Sequence, residues 1–158
     1  MIRGVHHVAV STHDLDRLVA FYTELFGFEV VMSTSWSDRP VIDSIVGLEG
    51  SAARQAMLKS GNAYIEVFEY ESHDGHGGPD ERTAADKGYT HFCVDATNIE
   101  EEYERLKGLG MTFSQPAPID VGHVKSIYGR DPEGNLIEIQ QTADNCDFPL
   151  SALPSVST

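Results

Sequence analysis

Hydrophobic and polar positions follow the same order in two stretches of the chain. Residues 4–10 (GVHHVAV) and residues 88–94 (GYTHFCV) are rich in β-branched and aromatic residues, and each carries a histidine at the same place, His7 and His91. Such short runs predict β-strands. Because one pattern occurs twice, the chain is predicted to be an internal duplication.

An amphipathic helical pattern follows each of these strands. The first pattern begins after Asp14 and the second after Thr97 or Asn98, which are side chains that cap helix N-termini. Gly27 and Gly110 are predicted to end the helices in a left-handed conformation. The apolar positions, spaced by three and four, are Leu15, Leu18, Val19, Tyr22, Leu25 and Phe26 in the first pattern, and Ile99, Tyr103, Leu106 and Leu109 in the second.

Each half is also predicted to close with a similar strand. Glu66 lies between apolar residues in 62–68 (NAYIEVF), and Glu138 does so in 135–140 (NLIEIQ). Residues 131–135 (DPEGN) have the composition of a tight turn before the last strand. Each half is therefore predicted to contain a strand, a helix and two or three further strands.

These elements predict one α+β domain over residues 1–141, followed by a C-terminal tail over residues 142–158. Within the domain we predict module one at residues 4–70, a linker at residues 71–87 and module two at residues 88–141. Glycines and a proline crowd the linker, which is typical of a connection without regular structure.

Four side chains with metal-binding chemistry occupy the repeated positions: His7, Glu66, His91 and Glu138. Two imidazoles and two carboxylates suit a borderline divalent ion. Taken singly, each has an ordinary interpretation, because a histidine near a strand start is commonly structural and a strand glutamate can lie on a solvated face. Their occurrence at duplicated positions favours a metal site over these separate interpretations.

Composition limits the class of partner. The chain has 158 residues, 41% of them hydrophobic, and 25 acidic residues against 11 basic ones give a formal net charge of −14. Such a surface repels phosphate backbones and anionic lipid, so neither nucleic acid nor a membrane is an expected partner. The chain lacks a long apolar run and a signal-peptide pattern, so we expect a soluble cytoplasmic protein.

The two cysteines show no CxxC spacing, and Cys93 is expected to be a small buried residue.

Four segments carry a family resemblance: residues 6–10 (HHVAV), 14–28 (DLDRLVAFYTELFGF), 88–91 (GYTH) and 131–138 (DPEGNLIE). With them the chain resembles the vicinal oxygen chelate superfamily, which includes glyoxalase I, methylmalonyl-CoA epimerase, extradiol dioxygenases, fosfomycin-resistance proteins and bleomycin-binding proteins. The resemblance extends over residues 4–141. It implies two tandem βαβββ modules that form an open, barrel-like mixed sheet around a metal site.

The ligand pattern discriminates within that family. Glyoxalase I is similar in having a His, Glu, His, Glu set, whereas the dioxygenase and fosfomycin branches resemble a two-His, one-Glu triad without Glu66. The epimerase is similar but usually has glutamine at the Glu66 position. The full set in this chain implies a lyase or isomerase that holds one divalent ion (Zn, Ni, Co, Mn or Fe) and acts on a small carbonyl compound through a metal-stabilised enediolate. The resemblance makes Glu138 the proton-transferring base, with Glu66 as its counterpart, and implies a homodimer.

Two other functions stay open. One is an extradiol Fe(II) dioxygenase, in which His123 or Tyr128 assists catalysis and Glu66 takes no part. The other is a non-catalytic protein that binds a small ligand or drug. Family members place substrate-recognition residues in the stretch between Met32 and Leu58, which here is unusually long and contains Trp36, Arg39, Arg54 and Gln55.

Overall fold

The computed structural model describes residues 4–75 and 83–153. The chain divides into two compact units, Met1–Gly77 and Gly78–Thr158. Each unit has its own mixed β-sheet and its own amphipathic helix. The fold is α+β, as predicted, and neither sheet closes into a barrel within the described residues.

The first unit follows the βαβββ order with one added helix. Its sheet has the strand order β1-β4-β3-β2, with β1 parallel to β4 and the other pairs antiparallel. The elements are β1 (His7–Ser11), α1 (Leu15–Phe26), β2 (Glu29–Trp36), α2 (Pro40–Val46), β3 (Ala53–Lys59) and β4 (Tyr64–Tyr70).

The second unit repeats this order with one added short strand. Its sheet has the order β5-β9-β8-β6, and β7 pairs with β8 beside that path. Strand β5 is parallel to β9, which matches the parallel pair of the first unit. The elements are β5 (His91–Asp95), α3 (Ile99–Gly108), β6 (Thr112–Phe113), β7 (Ile119–Asp120), β8 (Val124–Arg130), β9 (Leu136–Thr142) and a 3₁₀ helix (Leu150–Ala152).

Helix α1 has the predicted caps at both ends. The Asp14 carboxylate accepts a hydrogen bond from the Arg17 amide at 3.0 Å, and Gly27 ends the helix with a φ of 67°. Helix α3 begins after Asn98 but ends at Gly108, two residues before the predicted stop at Gly110. Gly110 has a φ of 97°, so its left-handed conformation belongs to the turn after the helix.

The duplication extends to how the two helices are attached to their sheets. The amide of Leu15 donates to the Glu69 carboxylate at 3.0 Å, and the amide of Ile99 donates to the Gln141 side-chain oxygen at 2.9 Å. Both acceptors lie three residues after the repeated glutamate of their strand. Each last strand therefore supplies a hydrogen bond to the first turn of the helix in its own unit.

Each core lies between one face of a sheet and the apolar stripe of its helix. In the first unit, the buried helix residues pack with buried residues of β3 and β4, and in the second unit α3 packs with β9. The buried set is Leu15, Leu18, Tyr22, Leu25, Leu58, Ile65 and Val67 in the first unit, and Ile99, Tyr103, Leu106, Ile127, Ile137 and Ile139 in the second.

Helix α2 occupies the long stretch that interrupts the first module, and the hydrophobic pattern did not predict it. It has no buried residue, so it lacks the apolar stripe by which a helix is recognised in a sequence. Pro40 starts it, and the Asp43 carboxylate ties it to the following turn by accepting from the amides of Gly50 and Ser51, each at 2.9 Å. Ser51 is fully buried and accepts a hydrogen bond from the Trp36 indole.

Within the described residues, we find no helix with both the length and the apolar content that crossing a membrane requires.

Candidate metal centre

Strand register places the first histidine and the first glutamate on one face of their sheet. Ala9 pairs with Glu66 across the parallel strands β1 and β4. Alternate residues of a strand point to the same face, so His7, two residues before Ala9, shares the face of Glu66. The buried Ile65 and Val67 point to the other face, which forms the core with α1.

Within the first unit the two side chains touch. His7 Nε2 lies 3.2 Å from Glu66 Oε2, and their side chains are 39% and 13% exposed. The glutamate is thus largely enclosed while the imidazole reaches solvent. A carboxylate in this setting needs a partner, and Nε2 of the imidazole is the ring atom that faces it.

The second unit contains the same arrangement. Cys93 pairs with Glu138 across β5 and β9, which puts His91 on the face of Glu138 by the same alternation. His91 Nε2 lies 3.2 Å from Glu138 Oε2, and their side chains are 27% and 19% exposed. The structure therefore places the four predicted residues in two equivalent His–Glu pairs, one within each unit.

The second oxygen of each glutamate also has a donor. The Gln55 amide donates to Glu66 Oε1, and the Ser126 hydroxyl donates to Glu138 Oε1. The two donors occupy matching strand positions, because Gln55 pairs with Phe68 and Ser126 with Gln140, each two residues beyond the glutamate. Each carboxylate is held at one oxygen and faces a histidine with the other.

The second ring nitrogen of each histidine has a partner as well. His7 Nδ1 lies 3.0 Å from His6 Nδ1, and His91 Nδ1 lies 2.9 Å from the Thr90 hydroxyl. A proton on Nδ1 satisfies either contact and leaves the Nε2 lone pair for a metal ion. Metal-binding histidines in proteins commonly engage their second nitrogen in this way.

In each pair, the distance between the histidine nitrogen and the glutamate oxygen allows both atoms to contact the same ion. Two ligand atoms about 2.0–2.1 Å from one ion, at angles of about 90–110°, lie about 2.8–3.4 Å apart. Both Nε2–Oε2 distances of 3.2 Å fall in this range. Across residues 4–75 and 83–153, however, no three His, Cys, Asp or Glu side chains cluster closely enough to hold an ion, so each pair stands as a two-ligand group.

The two pairs differ in their neighbours. Tyr128 pairs with Glu138 on β8, and its hydroxyl lies 3.4 Å from His91 Nε2, whereas Met57 pairs with Glu66 at the matching position. Partial burial raises the pKa of Tyr128, and the Glu138 carboxylate adds to the effect. The second pair therefore has a neutral phenol beside it, and the first has a thioether.

Cys93 lies next to the second pair, where the first unit has Ala9. The expectation that it is buried is wrong: Cys93 is exposed, because it alternates with Phe92 and Val94, the half-buried residues of β5. Partial loss of hydration, together with the nearby carboxylates of Glu138 and Asp95, raises the pKa of its thiol to about 12. A thiol with this pKa is a poor nucleophile near neutral pH.

Only some of the residues predicted for substrate recognition between Met32 and Leu58 lie on the sheet face that carries His7 and Glu66. Gln55 contacts Glu66, and Trp36 packs against Phe68 and Tyr70 on that face. Arg54 points to the opposite face by alternation, and ion pairs hold it to Asp16 and Glu69 at 2.7 and 3.1 Å.

A polar cavity of about 640 Å³ lies in the first unit, lined by hydroxyl residues of β2 together with Arg39, Arg54 and Glu71. Leu15 and Trp36 also line the cavity, whereas His7 and Glu66 do not.

His123 lies apart from the second pair. It immediately precedes β8, and its ring packs 6.0 Å from the ring of Phe148. Five strand positions separate it from Tyr128, which corresponds to about 16 Å along an extended chain. Of the two residues predicted to assist a dioxygenase, only Tyr128 is placed beside the candidate ligands.

The family follows from a comparison with protein-family models. Residues 4–139 match the model of the Glyoxalase/Bleomycin resistance protein/Dioxygenase superfamily. The chain belongs to this superfamily. The match covers both units, and with it the predicted resemblance to the vicinal oxygen chelate proteins is confirmed.

Curated relatives in the superfamily are enzymes of several kinds. The chain is 28% identical over 153 residues to 2-epi-5-epi-valiolone epimerase of Actinomyces sp, covering 86% of this chain and 78% of the epimerase. It is 25% identical over 141 residues to lactoylglutathione lyase of Schizosaccharomyces pombe, covering 85% of this chain. It is 23% identical over 141 residues to the fosfomycin resistance protein FosX of Listeria monocytogenes, covering 88% and 90% of the two chains.

The chain spans about half the length of the lactoylglutathione lyases it matches, 46% in the Schizosaccharomyces pombe protein. Among solved structures, a glyoxalase family protein from Bacillus cereus aligns with a TM-score of 0.78 and 18% identity, over 90% of this chain and 95% of that one. This likeness shows that the superfamily fold is present.

Ser126 was not among the residues predicted from the sequence, and Gln55 was predicted for substrate recognition instead of contact with Glu66. Their signal is the strand register: each is opposite the second residue after the repeated glutamate. A sequence reveals that relation only when the hairpin lengths are known, and the loops of the two modules differ.

Proposed function

We propose that this protein is a divalent-metal-dependent lyase or isomerase of the glyoxalase or epimerase kind, acting on a small carbonyl compound. His7, Glu66, His91 and Glu138 are the proposed ligands of one ion. The observation that carries the proposal is the setting of Glu66: it has the same histidine contact, at 3.2 Å, as Glu138. In a site with two histidines and one glutamate, Glu66 would not be a ligand and would need no histidine contact like that of Glu138.

A divalent ion in such a site polarises a carbonyl oxygen and stabilises the negative charge that develops on it. The residues of the chain handle the proton. Glu138 takes the proton from the carbon next to the carbonyl and returns it, and Glu66 offers a second carboxylate. His7 and His91 stay in place, because contacts at Nδ1 orient both rings.

The relatives support the class of lyases and isomerases, but they do not single out one reaction. An epimerase and a lactoylglutathione lyase are among the matches, at 28% and 25% identity. We therefore propose a test with metal-free protein reloaded with Zn, Ni, Co, Mn or Fe(II). Each form is assayed with a glutathione hemithioacetal, a 2-substituted acyl-CoA, a cyclic polyhydroxy ketone and a catechol.

We expect Glu138→Gln to reduce turnover at least 100-fold in the active combination while the ion stays bound, because the amide oxygen still ligates but takes up no proton. Metal content and rate are measured on the same sample. Glu101→Gln, at an exposed position of α3, serves as the control and retains the wild-type rate. Full activity in Glu138→Gln would show that the base is a different residue.

A second candidate is an extradiol-type Fe(II) dioxygenase, favoured by one observation, the Tyr128 hydroxyl 3.4 Å from His91 Nε2. Oxygen uptake with a catechol and Fe(II), unaffected by Glu66→Gln, would support it over the lyase or isomerase. A protein that takes up none of the five ions but binds a small aromatic drug would instead be the non-catalytic alternative.

We further propose that the protein works as a homodimer on a small-molecule substrate. Light scattering behind a sizing column measures this directly, with about twice the 17.4 kDa chain mass as the expected result. A cytoplasmic location stays a prediction from the sequence.

A further inference from the structure

We infer that Gln55 and Ser126 are positioning residues for the proposed metal ligands: each hydrogen-bonds Oε1 of its glutamate and thereby turns Oε2 toward the neighbouring histidine. The inference rests on the proposed function, since it concerns the same carboxylates. It assigns a role to two residues that contact neither histidine.

The first step is the division of labour between the carboxylate oxygens. In the first unit, Glu66 Oε1 accepts from the Gln55 amide and Oε2 faces His7. In the second unit, Glu138 Oε1 accepts from the Ser126 hydroxyl and Oε2 faces His91. In both units one oxygen accepts from the donor and the other faces the histidine, so each glutamate presents one oxygen to its histidine.

The second step is the placement of the donors on the strands. Gln55 and Ser126 each lie on the strand antiparallel to the glutamate strand, two positions from the residue opposite the glutamate. Diagonal neighbours of this kind are about 7–8 Å apart at Cα and meet only through their side chains. Glutamine and serine differ in length and chemistry, yet each donates a hydrogen bond to the corresponding oxygen of its glutamate. The property that the two positions share is therefore a hydrogen-bond donor.

The third step concerns the energy of the contact. A glutamate has three rotatable side-chain bonds, so a strand alone does not fix the direction of its carboxylate. A hydrogen bond to an ionised acceptor is stronger than one between neutral groups. Outer partners of metal ligands generally change metal affinity by about 10- to 100-fold when they are removed. Gln55 and Ser126 are placed to have such an effect through Glu66 and Glu138.

The test compares metal affinity in variants that remove only the donor. Gln55→Met keeps the length of the side chain, and Ser126→Ala removes the hydroxyl. Dissociation constants for Zn²⁺ and Co²⁺, measured on metal-free protein by competition with a chelator, should rise about 10- to 100-fold in each variant. Ser126→Thr restores the hydroxyl and should bring the constant back to within about threefold of wild type.

Matched controls come from the exposed pair Ser114 and Gln115. Ser114→Ala and Gln115→Ala remove the same chemical groups elsewhere in the chain and should leave both dissociation constants unchanged. If Gln55→Met and Ser126→Ala bind as tightly as wild type while His7→Ala and His91→Ala bind weakly, the positioning role is wrong and the proposed ligand set stands.

A crystal structure of metal-free Gln55→Met tests the inference without any metal. We expect the Glu66 carboxylate to leave its orientation toward His7, so that the Oε2–Nε2 distance of 3.2 Å in the native chain is lost. A retained distance would overturn the positioning role. Wild-type protein that takes up none of the tested ions would overturn the proposed function instead, and the crystal structures would still decide the role of Gln55.

Discussion

At the scale of single residues, the two glutamates are the most informative positions in this chain. Each uses both carboxylate oxygens, one for a neighbouring donor and one for a histidine. A largely enclosed carboxylate with two defined contacts is held in one orientation, as a ligand must be before the ion arrives. Two such carboxylates at repeated positions are what distinguish this chain from a protein with one acidic ligand.

Gly129 is a second position where one residue type is required. A Cβ atom there would lie 2.5 Å from Met111 Cε, 2.9 Å from the Thr112 carbonyl oxygen and 3.0 Å from a Phe113 ring carbon. We expect Gly129→Ala to lower the free energy of unfolding by about 1–3 kcal/mol, because β6 and β8 must move apart. Urea unfolding of the variant and of wild type measures the difference.

Gly61→Ala is the matched control, because a Cβ at Gly61 meets no atom within 4 Å. It should change the free energy of unfolding by less than about 1 kcal/mol. Equal stabilities for the two alanine variants would contradict the close approach of β6 and β8 at Gly129.

At the scale of elements, the helix ends show what a sequence pattern can and cannot predict. Asp14 and Gly27 cap α1 as predicted, because a cap depends on residues close in the chain. Asn98 makes no side-chain capping bond, and the Ile99 amide is satisfied by Gln141 instead, a contact over 42 positions. Long-range partners of this kind follow only from the folded sheet.

Helix α2 depends on one carboxylate for its attachment. Asp43 accepts from the Ser51 hydroxyl at 2.5 Å and from two amides. The Ser51 hydroxyl chiefly lowers the pKa of Asp43 below its ordinary value of 3.8, and the two amides and His73 lower it further. The ionised form is therefore the one that stabilises the fold.

This pKa shift predicts a pH dependence of stability. A depressed carboxyl pKa contributes stability above the unfolded value, near 3.8, and the contribution disappears as the pH falls through the lower folded value. In thermal unfolding at pH 6, the Tm of Asp43→Asn should be lower than that of wild type. This difference in Tm should disappear as the pH falls below 3.8. Asp74→Asn, exposed in the same unit, should follow the wild-type curve throughout. A Tm difference that is constant from pH 6 downward would show that Asp43 does not act through its charge.

At the scale of the whole molecule, the internal duplication explains why the sequence predicts the fold and the four candidate ligands. The repeated His and Glu positions lie on strands of equal register, and two local patterns were enough to single out these four residues. Helix α2, the donors Gln55 and Ser126, and the exposure of Cys93 were not predicted, because they depend on loop lengths and on which strands become neighbours. The family match over residues 4–139 agrees with the duplicated pattern.

We propose that the two His–Glu pairs serve one ion, and metal stoichiometry tests this proposal most directly. Metal-free wild type titrated with Zn²⁺ and analysed by elemental mass spectrometry should retain one tightly bound ion per chain. His7→Ala and His91→Ala should each lose that ion, whichever unit carries the change. Two ions per wild-type chain, with each variant losing only one of them, would contradict the account, because each pair would then bind its own ion.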